Sequence, residues 1–429
     1  MRNWLLSIGL ILSCQLVAQE LPKNFPVLLK QVEPDLISWR HHFHENPELS
    51  NREFKTGNYI ADYLKSIGLE VKYPVAKTGV VAVLKGGKPG PVVGLRADID
   101  ALPITERTPV PFASKVKSEY NGQPVGVMHA CGHDAHTAIL MATAKVMKEM
   151  QKDIPGTIVF LFQPAEEGPP NNEEGGAPLM IKEGVMDNPK MEVIFGLHMA
   201  SALPVGQLSY KPGAAQASSD VFKSVVHGKG SHGSMPWLGI DPIMVSADIL
   251  EGIQHIVSRQ VDLTKAPLVI SVGSIHSGVR SNIIPETAEM NGTIRSLDSA
   301  MRKEVHERLR REVKSIAESA GATADIEIIT QTLVNFNDPA LVKKTVPALQ
   351  KAAGDGNLVE SHWITAAEDF SFYGQKAPSF FFNLGGLPAG KDPKDAGPHH
   401  TPDFYLDESG FIVGVKAFCY LVFENAKAK

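Results

Sequence analysis

Within nine residues, Met128-His-Ala-Cys-Gly-His-Asp-Ala-His136 carries a thiol, three imidazoles and a carboxylate. Cys131 and His133 flank a glycine, so a tight turn can aim both at one cation, and Asp134 can orient an imidazole from behind. A core cysteine with incidental histidines is the bland alternative, but unpaired His and Asp rarely cluster in a core. Phe162-Gln-Pro-Ala-Glu-Glu-Gly168 sets two adjacent carboxylates, Glu166 and Glu167, at the end of a hydrophobic run. Adjacent carboxylates repel unless a cation or a shared proton relieves them. One can then bind metal while the other acts as general base. Ile194-Phe-Gly-Leu-His198 ends another apolar run in a histidine, and Gly397-Pro-His-His-Thr-Pro402 adds a histidine-bearing loop. Alone, the Glu pair reads as a solvated loop and His198 as structural. Together these segments supply Cys, His, Glu, His and His, enough to hold two divalent ions with positions open for water and substrate.

Such residues need a scaffold that brings strand ends together. Val80–Leu84, Val92–Leu95 and Thr157–Phe162 are short apolar runs bounded by Gly or Pro, which read as buried strands. Tyr59–Gly68 and His136–Met150 read as helices, the second opening just after the His-Asp-Ala-His cluster. Alternating strands and helices imply an α/β sheet covered on both faces, which binds ligands at the carboxyl ends of its strands. A second unit follows: strand Val221–His227, helix Pro242–Arg259, strands Leu268–Ile275 and Ala288–Arg295, helix Ala300–Ala320 and strand Ala324–Ile329. That β-α-β-β-α-β order is ferredoxin-like. The expected organisation is an export segment over 1–18, a discontinuous catalytic domain over 19–214 and 332–429, and an inserted α+β unit over 215–331.

The chain has 429 residues, too many for one typical core, and a formal net charge of -5, which gives no basic footprint for nucleic acid. One positive charge and an apolar run too short to cross a bilayer precede Ala18, so export to the periplasm or exterior, with cleavage near Ala18, is expected. Cys14 is a poor lipoprotein acceptor because Leu12 stands where a small residue is preferred. No other segment reads as a membrane span. Cys419, among apolar neighbours, reads as a packed thiol, not as a disulfide partner of Cys131.

The chain resembles the aminoacylase, hippurate hydrolase and auxin-conjugate hydrolase family of dinuclear metallopeptidases, related to carboxypeptidase G. The resemblance rests on His44-Glu-Asn-Pro-Glu-Leu49, Gly94-Leu-Arg-Ala-Asp-Ile-Asp-Ala-Leu-Pro103, His129–His136, Gln163–Gly168, Gly228–Pro236, Asn282–Pro285, Gly292–Arg295, Ala367–Phe370 and His400–Pro402, in the family's order. It implies a zinc-peptidase-like catalytic domain with a ferredoxin-like lid and dimerisation domain. It implies two divalent ions per subunit, Zn or Mn, with Co or Ni as further options. Cys131, His133, Glu167, His198 and His400 would be ligands and Glu166 the base. His400 is taken over His399 because only His400 satisfies the family's His-x-Pro. Asp98 and Asp100 resemble residues near the metals. His232, in a Gly-rich turn of the lid, could stabilise an oxyanion, and in the family it reaches the partner subunit's site, so a homodimer is implied. Asn282 and Arg295 lie on lid elements and could hold a substrate carboxylate. One departure is that Pro169-Pro-Asn-Asn-Glu-Glu174 follows the Glu pair, where the family often has a short Gly-rich stretch. The implied reaction is amide hydrolysis of N-acyl amino acids or short peptides. A dipeptidase or carboxypeptidase would use the same residues. A catalytically silent binding protein would most simply lack the base, and Glu166 is present.

Overall fold

The computed structural model describes residues 20–426, so the expected export segment and Cys14 lie outside the described residues. The first strands are β1 (Glu70–Val75), β2 (Gly79–Lys85), β3 (Lys88–Asp98), β4 (Pro155–Gln163), β5 (Val193–Pro204) and β6 (Leu208–Tyr210). A smaller unit contributes β7 (Ser219–His227), β8 (Leu268–Ser277), β9 (Thr287–Ser296) and β10 (Thr323–Thr332), and the chain returns with β11 (Leu358–Glu360) and β12 (Ser379–Leu387). The large sheet runs β1-β2-β4-β3-β5-β12-β6-β11, with β4, β3, β5 and β12 parallel neighbours. Parallel strands end together, so the residues after Asp98 and Gln163 share one edge.

Alternation sorts the side chains of these central strands onto two cores. Phe160 and Phe162 of β4 and Phe380 and Phe382 of β12 pack with α1 (Phe25–Glu45), α2 (Phe54–Ser66) and α3 (His133–Glu149). Val159, Leu161 and Phe381 face the other way, toward α4 (Gly176–Lys182) and the short helical turn Asp369–Gln375. In the smaller unit, α5 (Pro242–His255) and α6 (Ser299–Ser319) cover one face of an antiparallel sheet ordered β8-β9-β7-β10. Ile249, Ile253, Val305, Leu309 and Val313 pack there on Phe222, Met290 and Ile294. Asp241 and Asp298 cap the two helices, accepting from the Ile243 and Met301 amides at 2.9 and 2.7 Å. On the large sheet, α7 (Pro339–Ala353) and α8 (Phe411–Asn425) join α1–α3 in the same core. Among the described residues, no helix is long and apolar enough to cross a membrane.

Two elements beside the donor residues differ from expectation. α3 starts at His133, not His136, because Gly132 takes φ 96° and turns the chain straight into the helix. β5 continues past His198 to Pro204. Its pairing with β3 stops at Gly196, but β12 accompanies it onward, with His198 opposite Asn383. The histidine therefore stands inside a strand, at the point where one neighbour has left.

Candidate metal centre

At the shared strand edge, four segments meet around one thiol. Cys131 precedes the left-handed Gly132, where a Cβ would come within 3.0 Å of the Met199 side chain. His198 Nε2 lies 3.5 Å from Cys131 Sγ, and His400 Nε2 lies 3.2 Å from the same sulfur. His400 has φ 61° and its amide donates to the Ala130 carbonyl at 2.9 Å, which pins this loop beside the thiol. Its Nε2 is also 3.0 Å from Glu167 Oε1. His133 Nε2 lies 3.8 Å from Glu166 and 3.9 Å from Glu167. Donor atoms of Cys131, His133 and His198 fall within 4.8 Å of one another, as do those of Cys131, Glu167 and His400. Cys131 is common to both sets.

The chemistry of these donors fits divalent cations. His133 donates through Nδ1 to the Asp100 carbonyl at 2.8 Å, leaving Nε2 buried without a hydrogen bond and aimed at the two glutamates. A buried ring nitrogen without a partner is costly unless something binds it. Burial, together with Glu167 and Glu166, pushes the Cys131 thiol well above its usual pKa, and a coordinating cation reverses that preference. Burial and the neighbours Glu368 and Glu167 likewise raise Glu166 well above the carboxylate range.

Beneath the donors lies a buried charge layer. Arg96, in the middle of β3, donates to Gln163 Oε1 at 2.9 Å and Asp98 Oδ2 at 2.7 Å. It also meets Glu368 and Asp369, each at 3.0 Å. Burial alone would raise Asp98, but His133, His136 and Arg96 hold it well below its usual pKa. His136 cannot serve as a ligand as it stands: its Nδ1 is 2.6 Å from Asp98 Oδ1 and its Nε2 accepts the Met199 amide at 2.8 Å. Asp134 does orient an imidazole, but the ring is that of His44, at 2.7 Å, with Arg40 at 3.1 Å on the same oxygen.

A cavity of about 1240 Å³ opens over this layer, lined by Cys131, Glu166, Glu167, His198, His400 and Arg295 among others. Arg295 is half-buried on β9, and its guanidinium makes no salt bridge or hydrogen bond among the described residues. His232 and Asn282 do not line the cavity. They sit together on the smaller unit, where the Gly233 amide donates to the Asn282 carbonyl at 2.9 Å and His232 Nδ1 accepts from Ser234. Both are exposed.

His399, passed over by the motif, also lies near the thiol, with Nδ1 3.7 Å from Cys131 Sγ, but its Nε2 accepts from the Ser201 amide at 3.3 Å. Glu368 and Asp369 stood in a recognised motif without a role, and their adjacency to Arg96 spans more than 270 positions. Glu53 carried no signal at all. The segment 169–174 is tied down by Glu173, which accepts from Asn51 at 3.0 Å and pairs with Arg52 at 2.6 Å.

Peptidase family M20/M25/M40 matches residues 94–424. Thermostable carboxypeptidase 2 of Saccharolobus solfataricus is 41% identical over 395 residues, covering 92% of this chain and 96% of that one. The N-acyl-L-amino acid amidohydrolase of Geobacillus stearothermophilus is 42% identical over 340 residues, 78% of this chain and 87% of its own. A solved dinuclear metal-binding M20 peptidase from Bacillus subtilis superposes with TM-score 0.76 at 35% identity, covering 92% of this chain and 98% of that one. With the donor set and these likenesses in agreement, the chain belongs to peptidase family M20/M25/M40, the metal-dependent hydrolases of amide bonds.

Proposed function

We propose that this protein hydrolyses the amide bond of N-acyl amino acids, releasing a carboxylic acid and an amino acid. The observation that carries the reading is that Glu166 and Glu167, neighbours in sequence, open on one cavity with Cys131, His198, His400 and the unpaired Arg295. Cys131, His133 and His198 would hold one divalent ion, and Cys131, Glu167 and His400 the other, with Zn or Mn as the resident metal. When bound, such ions supply Lewis acidity and a water of lowered pKa. Glu166 takes the proton of the attacking water and returns it to the leaving nitrogen. Arg295 grips the substrate carboxylate in a bidentate contact.

The same proposal makes residues 215–331 a lid and dimerisation unit, and the protein a homodimer exported by residues 1–18. Around His232 and Asn282, Met235, Trp237, Leu238 and Ile283 are exposed, Trp237 to 75%. An apolar group of that size supports a covered face, with His232 and Asn282 serving the partner's cavity. A carboxypeptidase acting on short peptides is the second reading, favoured by the name of the Saccharolobus relative. N-acetyl, N-benzoyl and dipeptide substrates assayed in parallel separate the two.

The roles within the glutamate pair are tested by two variants. Glu166→Gln should keep its metal and lose turnover by about 10²–10⁴-fold or more, because the amide cannot accept a proton. Glu167→Gln should lose metal first, a neutral oxygen having replaced a charged ligand. Metal loss from Glu166→Gln with retention in Glu167→Gln would reverse the assignment.

A further inference from the structure

Two adjacent residues do not naturally place both side chains in one cavity. In a strand they point to opposite faces, and in a helix they diverge. The segment after β4 solves this with a turn in which Ala165 takes φ 52° and Gly168 φ 102°. Glycine adopts such angles readily. Alanine does so only against the crowding of its Cβ on the following carbonyl oxygen, so something must hold it.

Three consecutive amides of this turn are gripped by two buried carboxylates. The Ala165 amide donates to Glu53 Oε1 at 2.9 Å. The Glu166 and Glu167 amides donate to Asp100 Oδ1 and Oδ2, both at 3.1 Å. Asp100 is itself fixed by Ser50 Oγ at 2.7 Å and His133 Nδ1 at 3.2 Å. Glu53 is fully buried, and its other oxygen accepts from Thr78 Oγ1 at 2.6 Å. Neither oxygen faces the cavity, and Glu53 is not among its lining residues.

We propose that Glu53 is a positioning residue: its contact with the Ala165 amide holds the left-handed turn that aims Glu166 and Glu167 into the same cavity. The inference rests on the base-and-ligand reading of that pair. It requires an acceptor oxygen at the full reach of a glutamate side chain, and it does not require the charge.

Reach and charge are separable. Glu53→Gln keeps an oxygen for the Ala165 amide and offers its NH₂ to Thr78, whereas Glu53→Asp keeps the carboxyl group and falls one methylene short. With metal supplied, Glu53→Gln should turn over within a few-fold of the parent. Glu53→Asp should lose about 10²-fold in kcat, the scale of a misplacement near 1 Å, with KM little changed. A second readout is independent of turnover. Calorimetric titration of metal-depleted protein with Zn should show affinity about 10–100-fold weaker in Glu53→Asp and unaltered in Glu53→Gln, because Glu167 shifts only in the former. Circular dichroism of both variants checks that the fold is intact. The reverse ranking, with the aspartate variant active and the glutamine variant impaired, would overturn the proposal, and so would two folded variants with parental kcat and Zn affinity. Failure of the base-and-ligand reading would show separately, as retained turnover in Glu166→Gln.

Discussion

Arg96 is the buried cation on which the layer under the site depends. Its side chain has no exposure and touches Asp98, Glu368 and Asp369 at 2.7–3.0 Å, with Gln163 closing the set. Arg96→Met keeps much of the volume and removes every one of these contacts. Glu368 and Asp369 then stand buried without their cation while Asp98 keeps only its histidines, and removing one partner of a buried pair costs about 3–5 kcal/mol. Unfolding entropy near 2.1 cal/mol/K per residue, over a cooperative unit of about 300 residues, converts this to a loss of roughly 5–8 °C in Tm. Thermal unfolding should be followed by circular dichroism with chelator present, so that unequal metal binding does not enter the comparison. Adding Asp98→Asn should recover part of the loss, because the most tightly held carboxylate is then neutral while its oxygen still serves His136. An unchanged Tm in Arg96→Met, or strict additivity in the double variant, would refute this account.

Two further predictions concern the smaller unit. Asp220 is buried on β7, and against the effect of burial, hydrogen bonds from His306 and Arg302 hold its pKa below the ordinary 3.8. A carboxyl with a depressed folded pKa contributes stability that is full above its unfolded value and lost as pH falls through the folded one. Urea melts from neutral pH down to the acid limb should therefore lose less stability in Asp220→Asn than in the parent; parallel curves would count against the pair. If Arg295 holds the substrate carboxylate, Arg295→Ala should abolish the preference for a free acid over its amide. A preference that survives in kcat/KM would remove that role.

Part of this protein is legible because it is local. Cys131, His133 and the Glu166–Glu167 pair announce themselves by types that cluster within a few positions, and α6 and β7 by hydrophobic periods that set one face against a core. Backbone propensity and side-chain direction act over those same short distances, so a single stretch suffices to read them. What tertiary structure decided is partnership. Arg96 finds its partners only when β3 is buried beside Gln163 and the Glu368–Asp369 turn. Asp134 looks like a support for the nearby histidines until α1 brings His44 to it. The aim of the glutamate pair rests on Glu53, more than a hundred positions away. A buried polar group must find a partner wherever packing places one, and no local pattern records which distant segment that will be.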